Sequence, residues 1–235
     1  MYCTTVYREK GPNYFGPFSL YNLIRLYSFY YLYGMEKQGN KKRIAIFASG
    51  NGTNAENIIR YFNDNERSCG GEVALIVCNR PDAMVLQRAD RFGVPSAVMT
   101  KTELNDPDTI LPLLDRHAID MIVLAGFLLM MPVFIIERYQ EKIINIHPSL
   151  LPKYGGKGMY GHHVHAAVVA AGETETGITV HFVSERCDEG NIIFQTNVPV
   201  AATDTPEDVE RKVHSLEREH FPRIIDEILS NITTP

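Results

Sequence analysis

Cysteine is scarce and scattered. The 235-residue chain has four (Cys3, Cys69, Cys78, Cys187) and no C-x-x-C pair. That spacing builds neither a disulfide framework nor a zinc knuckle, and a reducing, cytoplasmic setting is expected. No apolar run reaches the ~20 residues of a membrane span. Positive charge is in deficit: 23 Lys and Arg face 28 Asp and Glu, for a net charge of −5 and a pI of about 5.9. Neither nucleic acid nor an anionic membrane is an expected partner. Internal repeats are absent, and so are low-complexity linkers after residue 40. What remains is an ordinary balance of 45% apolar and 22% charged residues, enough to bury a sizeable core without staples. The length suits one large domain or two small ones.

Aromatic residues are unevenly spread. Residues 1–34 hold eight of the twelve tyrosines and three of the eleven phenylalanines, but only four charged residues, Arg8, Glu9, Lys10 and Arg25. Asn22 and Arg25 interrupt the stretch from Phe18 to Tyr33, which has neither the aliphatic centre nor the cleavage site of a signal peptide. The basic face of an interfacial anchor is also missing. A poorly ordered extension, an interaction tail and residues upstream of the true start all fit. The last is favoured, because Met35 opens a polar lead-in, Met-Glu-Lys-Gln-Gly-Asn-Lys-Lys-Arg, to a first strand. The expected division is a 1–34 extension and a 35–235 domain, the latter carrying 20 basic against 27 acidic residues.

From Arg43 the pattern is strand and helix in alternation. Strands are expected at Arg43–Ala48, Glu72–Cys78, Ser96–Met99, Asp120–Ala125 and Lys142–His147. Helical patterns lie between them: Ile58 to Phe62, Ala83 to Phe92, Ile110 to His117 and Pro132 to Tyr139. Near-continuous aliphatic strands separated by helices imply a parallel sheet covered on both faces. Gly177–Val183 then alternates like a half-exposed strand, and Asn191–Val200 follows a short turn, so antiparallel strands are expected toward the C-terminus. The fold class is α/β, a single doubly wound, mostly parallel sheet. Asp204 to Leu229 reads as one amphipathic helix, started by Thr205-Pro206-Glu207-Asp208, with a kink at Pro222.

Three segments carry chemistry. Ser49-Gly-Asn-Gly-Thr-Asn54 lies between a strand and a helix, where backbone amides and the helix N-terminus can hold a phosphate. Gly50, Gly52 and Ala55 fit the dinucleotide fingerprint, but the second strand ends in Cys78-Asn79 without the acidic residue a ribose needs. No Gly-Lys-Ser/Thr follows for an NTPase loop. A phosphate without a dinucleotide is preferred, against NAD or a plain structural turn. Asn145 and His147 close the fifth strand two residues apart, so both project beyond the same sheet edge. An amide and an imidazole there can stabilise an oxyanion and move a proton, or simply cap the strand. Asp188, in Cys187-Asp188-Glu189-Gly190, would raise the pKa of His147 if the fold brought them together; the bland alternative is a hairpin turn. Cys187 reads as packing. His162, His163 and His165, with His181 further on, lack a recognisable metal spacing, so no metal is expected. Lys153 to Gly161 reads as a flexible basic loop.

Together these segments resemble the folate-dependent phosphoribosylglycinamide formyltransferases of purine synthesis. The matching text is Ile44 to Asn54, Leu124-Ala-Gly-Phe127, Ile144-Asn-Ile-His-Pro-Ser-Leu-Leu-Pro-Lys-Tyr154, Gly177-Ile-Thr-Val-His-Phe-Val183 and Asp188-Glu-Gly190. The resemblance implies catalytic roles for Asn145, His147 and Asp188, and a substrate phosphate on Gly52, Thr53 and Asn54. It further implies ribose recognition by Glu217 and a folate pocket along Leu128, Leu129 and Met130, with Asn145. Two departures bear on folate or substrate fit: that stretch lacks an arginine some relatives carry, and the loop Gly155–His165 is long and glycine-rich.

The implied reaction passes the formyl group of 10-formyltetrahydrofolate, a co-substrate, to the amine of glycinamide ribonucleotide without an acyl-enzyme. Protonated His147 and Asn145 would stabilise the oxyanion, Asp188 would orient His147, and a proton would reach N10 by way of water. A cytoplasmic monomer or weak homodimer is expected. The competing readings are a formyltetrahydrofolate hydrolase, a methionyl-tRNA formyltransferase, a sugar-nucleotide formyltransferase and a non-catalytic nucleotide-binding protein. The tRNA enzyme needs a further C-terminal domain and the hydrolase an N-terminal one. The sugar-nucleotide enzyme explains the phosphate loop less well, and the intact Asn145, His147 and Asp188 speak against a binding protein.

Overall fold

The computed structural model describes residues 41–63 and 69–232, so the aromatic extension and Met35 lie outside the described residues. Strands β1 (Lys42–Ala48), β2 (Gly71–Cys78), β3 (Ser96–Val98), β4 (Met121–Leu124), β5 (Ile143–His147), β6 (Glu175–Phe182) and β7 (Ile192–Pro199) form one sheet. Their order is β3-β2-β1-β4-β5-β6-β7. The first five run parallel, and β6 and β7 add on antiparallel beside β5.

Strand alternation sorts the aliphatic residues into two cores. Ile44, Ile46 and Ala48 of β1 face α1 (Thr53–Phe62), α2 (Met84–Arg91), α6 (His162–Ala170) and α7 (Pro206–Asn231). Ala45 and Phe47 face α3 (Lys101–Leu104), α4 (Pro107–Arg116) and α5 (Val133–Arg138). Continuous apolar runs such as Val73–Cys78 are therefore what a sheet covered on both faces requires. Most expected elements appear within a few residues of their sequence-derived bounds. Two helices went unread: α3, whose Thr100 and Glu103 form a capping box, and α6, which begins at His162 directly after the glycine-rich loop.

The last strands differ from expectation in burial. β6 is buried from Thr176 to His181 rather than half-exposed. Its polar positions are covered by the segment after β5: Thr179 Oγ1 donates to Ser149 O (2.6 Å) and accepts from Leu151 N (3.0 Å). Hydrogen bonding makes the alternation of Thr179 and His181 compatible with burial. α7 starts as its sequence indicates, with a Thr205–Asp208 capping box and Pro206 in the first turn. It continues through Pro222 as one helix, as expected. Proline has no N–H to bond the carbonyl four residues back, and that carbonyl, Arg218 O, accepts instead from Asn57 Nδ2 of α1 (2.9 Å).

Candidate active site

β1 lies between β2 and β4, so consecutive crossovers leave on opposite sides of it and open a crevice at its C-terminal end. Three of the predicted segments border that crevice. Ser49 N donates to Gly126 O (3.0 Å), and Ser49 Oγ accepts from Leu128 N (2.8 Å), so one serine joins the glycine loop to the segment after β4. Phe127 packs edge-on against Phe47 at 5.3 Å. Leu128 and Met130 are 50% and 54% exposed, while Leu129 packs partly against the core. Exposed apolar side chains at a crevice mouth suit a flat heteroaromatic ligand.

On the other bank, Gly52 sits at the start of α1 with φ +73°, and a Cβ there would run into Val85. Glycine alone meets both demands. No side chain caps α1, in contrast to α3 and α7, which leaves the first-turn amides around Thr53 and Asn54 to an anion. Asn54 Nδ2 donates to Glu217 (2.9 Å). Glu217 is buried, and that burial pushes its carboxyl above the ordinary range. The two residues expected to hold phosphate and ribose thus touch across α1 and α7, one turn from the bond that Pro222 makes available.

Within β5, two positions apart, Asn145 and His147 share a face as expected. β6 runs antiparallel to β5 with His181 opposite Asn145, and Asn145 Nδ2 donates to His181 Nε2 (3.1 Å). His181 Nδ1–H donates to Phe182 O (2.8 Å), the tautomer that satisfies both contacts. His147 is buried and its Nε2–H donates to Tyr154 O (2.7 Å). Asp188 reaches both imidazoles, at 3.6 Å from His147 Nδ1 and 3.7 Å from His181 Nε2. Its Oδ2 also accepts from Gly156 N (2.8 Å). Asp188 holds a left-handed φ of +58°, a conformation that Asp adopts more readily than most non-glycine residues. Gly190, two residues on, has no room for a Cβ against the Phe182 carbonyl. The Asp188–Gly190 turn is therefore pinned over the end of β6, and it does bring Asp188 to His147.

The electrostatics correct one expectation. Asp188 does favour the charged form of His147, as does the Tyr154 carbonyl, but burial outweighs both and the imidazole sits below its ordinary value. Burial also works against an ionised Asp188; the nearby His181 imidazole, the Gly156 amide and the positive charge His147 carries once protonated overcome it and hold the carboxyl at about 2. The site is built around a fixed anion and a histidine that is neutral until a proton reaches it.

His181 and Tyr154 are the members that sequence reasoning missed. In the sequence His181 stands only as a further member of a histidine-rich region, and its role depends on strand register. Tyr154 contributes a carbonyl, which no side-chain pattern reveals. The other histidines do not join the site: His162 and His163 are exposed on α6, while His165 is buried with Nδ1 lacking a partner. Among the described residues no group of three or more His, Cys, Asp or Glu is arranged to hold a metal ion. Cys187 is exposed rather than packed. Local desolvation and the Asp188 carboxylate push its thiol up to about 11, unsuited to a nucleophile. No described helix is long and apolar enough to cross a membrane.

The formyl transferase family profile matches residues 42–225. The chain is 38% identical over 192 residues to the phosphoribosylglycinamide formyltransferase of Bacillus subtilis, covering 80% of this chain and 95% of that protein. It is 36% identical over 200 residues to the chloroplastic enzyme of that name from Arabidopsis thaliana, covering 83% and 68%. In three dimensions it resembles glycinamide ribonucleotide transformylase 1 from Geobacillus kaustophilus with a TM-score of 0.72 at 36% identity, covering 81% of this chain and 100% of that one. The phosphoribosylglycinamide formyltransferase of Anaplasma phagocytophilum superposes with a TM-score of 0.74 at 31% identity, covering 82% and 88%. With the profile spanning the whole sheet and all the site segments, the chain belongs to the formyl transferase family.

Proposed function

We propose that the protein transfers the formyl group of 10-formyltetrahydrofolate to the amine of 5'-phosphoribosylglycinamide, giving the N-formyl product and tetrahydrofolate in purine biosynthesis. The observation that carries the reading is the cluster of Asn145, His147, His181 and Asp188, both imidazoles buried, at the same end of the sheet as a glycine loop with open amides. In this reading Gly52, Thr53 and Asn54 hold the phosphate, Glu217 the ribose, and Leu128 to Met130 the pterin.

Asn145 spends one amide hydrogen on His181, which fixes its rotamer and leaves the second for the formyl oxygen. His147 has Nε2 committed to Tyr154, so Nδ1 is the position that takes and returns a proton. As the glycinamide nitrogen bonds to the formyl carbon, the carbonyl pair moves onto oxygen and is met by Asn145. The nitrogen's proton passes to His147 Nδ1 by way of water, and the imidazolium is stabilised by ionised Asp188. When the bond to N10 breaks, the same proton goes to N10. No net proton is gained or lost. All these groups come from one chain, which supports a monomer or a weak homodimer as the acting form, and the scattered cysteines, with no C-x-x-C pair, support a reducing cytoplasm.

Replacing His147 with Ala or Asp188 with Asn should remove most turnover. Loss of such a group costs ~3–4 kcal/mol, or roughly 10²–10³ in rate, and the far-ultraviolet spectrum should be unchanged. Near-normal turnover in both variants would sink the assignment.

A further inference from the structure

The glycine loop is gripped from outside by a residue that contacts no substrate-facing amide. Arg88 of α2 donates through Nε to Asn51 O (2.7 Å) and through a terminal nitrogen to Asn51 Oδ1 (2.9 Å). Its other terminal nitrogen pairs with Glu56 in the first turn of α1. Arg60 holds the second side of Glu56, with contacts of 3.0 and 2.7 Å, and stacks 4.8 Å over Phe92 at the end of α2. The hydrogen bond from Arg60 is the largest influence keeping Glu56 ionised, with Arg88 acting in the same direction against burial. α2 also bonds the loop through its backbone, Val85 N to Gly50 O (3.2 Å), and packs Val85 against Gly52.

The arrangement answers a specific problem. A first-turn glutamate suits the helix dipole, but an anion arriving at the same helix end meets a like charge. Two arginines against one glutamate leave the surroundings of the loop positive. The two-pronged grip on Asn51 fixes the loop just ahead of Gly52, so its amides need not reorganise on binding. We infer that Arg88 is a positioning residue for the substrate phosphate: through Asn51 and Glu56 it sets the shape and sign of the glycine loop, and so tunes affinity for the ribonucleotide without touching it. This rests on the reading that the loop receives the phosphate.

Steady-state kinetics of Arg88→Gln, Arg88→Lys, Asn51→Ala and Gly52→Val on the full chain test it, with inorganic phosphate as a competitive probe. Arg88→Gln should raise the KM for glycinamide ribonucleotide and the inhibition constant of phosphate by about ten-fold, with kcat and the KM for the formyl donor within about two-fold. Arg88→Lys keeps the charge but cannot make all three contacts, so it should recover less than half of the loss on a logarithmic scale. Asn51→Ala, an exposed change that leaves the α2 packing intact, should raise the same KM by about three-fold and stands in if Arg88→Gln does not fold. Unchanged ribonucleotide KM in the Arg88 variants, or a parallel rise in both substrates' KM values with a lowered melting temperature, would overturn the inference. Gly52→Val separates the two claims. If it raises the ribonucleotide KM while the Arg88 variants do not, the phosphate reading stands and the role of Arg88 falls; if neither moves it, both fall.

Discussion

His147 sits between opposing influences, and their balance has a kinetic consequence. Burial holds its imidazole below the ordinary 6.5, with Asp188 and the Tyr154 carbonyl pulling the other way. A base that must be neutral to accept a proton loses activity as pH falls through its pKa, so kcat/KM should decline on the acid side with a midpoint below 6.5. Asp188→Asn removes a group that raises this pKa, so the midpoint should move lower still while the plateau drops by roughly 10²-fold. A profile that instead falls as pH rises past the histidine's pKa would show that the protonated ring is the active form. Asn145 and His147 were legible as a pair from their spacing on one strand, while Asp188, in a turn that spacing alone reads as a plain hairpin, was legible only through the family resemblance. That Asp188 fails to raise the net pKa was not legible, since burial is a property of the assembled fold. His181 was hidden for a related reason: its partner is chosen by the antiparallel register of β5 and β6.

At the scale of elements, sequence signals were clearest where local chemistry decides. Thr205-Pro206-Glu207-Asp208 reads as a helix start because cap, proline and acid all act within one turn. β1, β2 and β4 read as buried strands because both faces are covered. β6 misled, because alternating polarity signals one exposed face unless another segment satisfies the polar groups, as Ser149 and Leu151 do for Thr179. α6 was missed for want of an amphipathic stripe, and it carries His165 between itself and α7. His165 is 1% exposed and burial depresses it to about 4, although Glu210 raises it; His214, His162 and His147 add to the depression. The unfolded chain takes up this proton near pH 6.5 and the folded one only near 4. Stability is therefore full above about pH 6.5 and falls by ~3 kcal/mol as pH drops to about 4. Urea midpoints at pH 7 and pH 5 check this. His165→Leu should flatten the dependence, and an unchanged slope would show that His165 is not its source.

The whole molecule places its chemistry where the chain changes direction across the sheet. β1 and β4 supply the two banks of the crevice, the antiparallel β6 supplies a histidine to the far end, and α7 returns to close the glycine-loop side with Glu217. The family match begins at residue 42, and every residue assigned a role lies beyond it. A protein beginning at Met35 should therefore fold and turn over like the full chain, with kcat and both KM values little changed. An insoluble or inactive shortened protein would show that residues 1–34 support the domain. The central claim, that this cluster passes a formyl group to the amine of glycinamide ribonucleotide, is tested most directly by following the absorbance of a 10-formyl folate analogue. Loss of the formyl group should require glycinamide ribonucleotide, with one N-formyl product formed per donor consumed and no appreciable turnover on water or a sugar-nucleotide amine. Donor consumption on water alone, or equal rates with an unrelated amine, would contradict it.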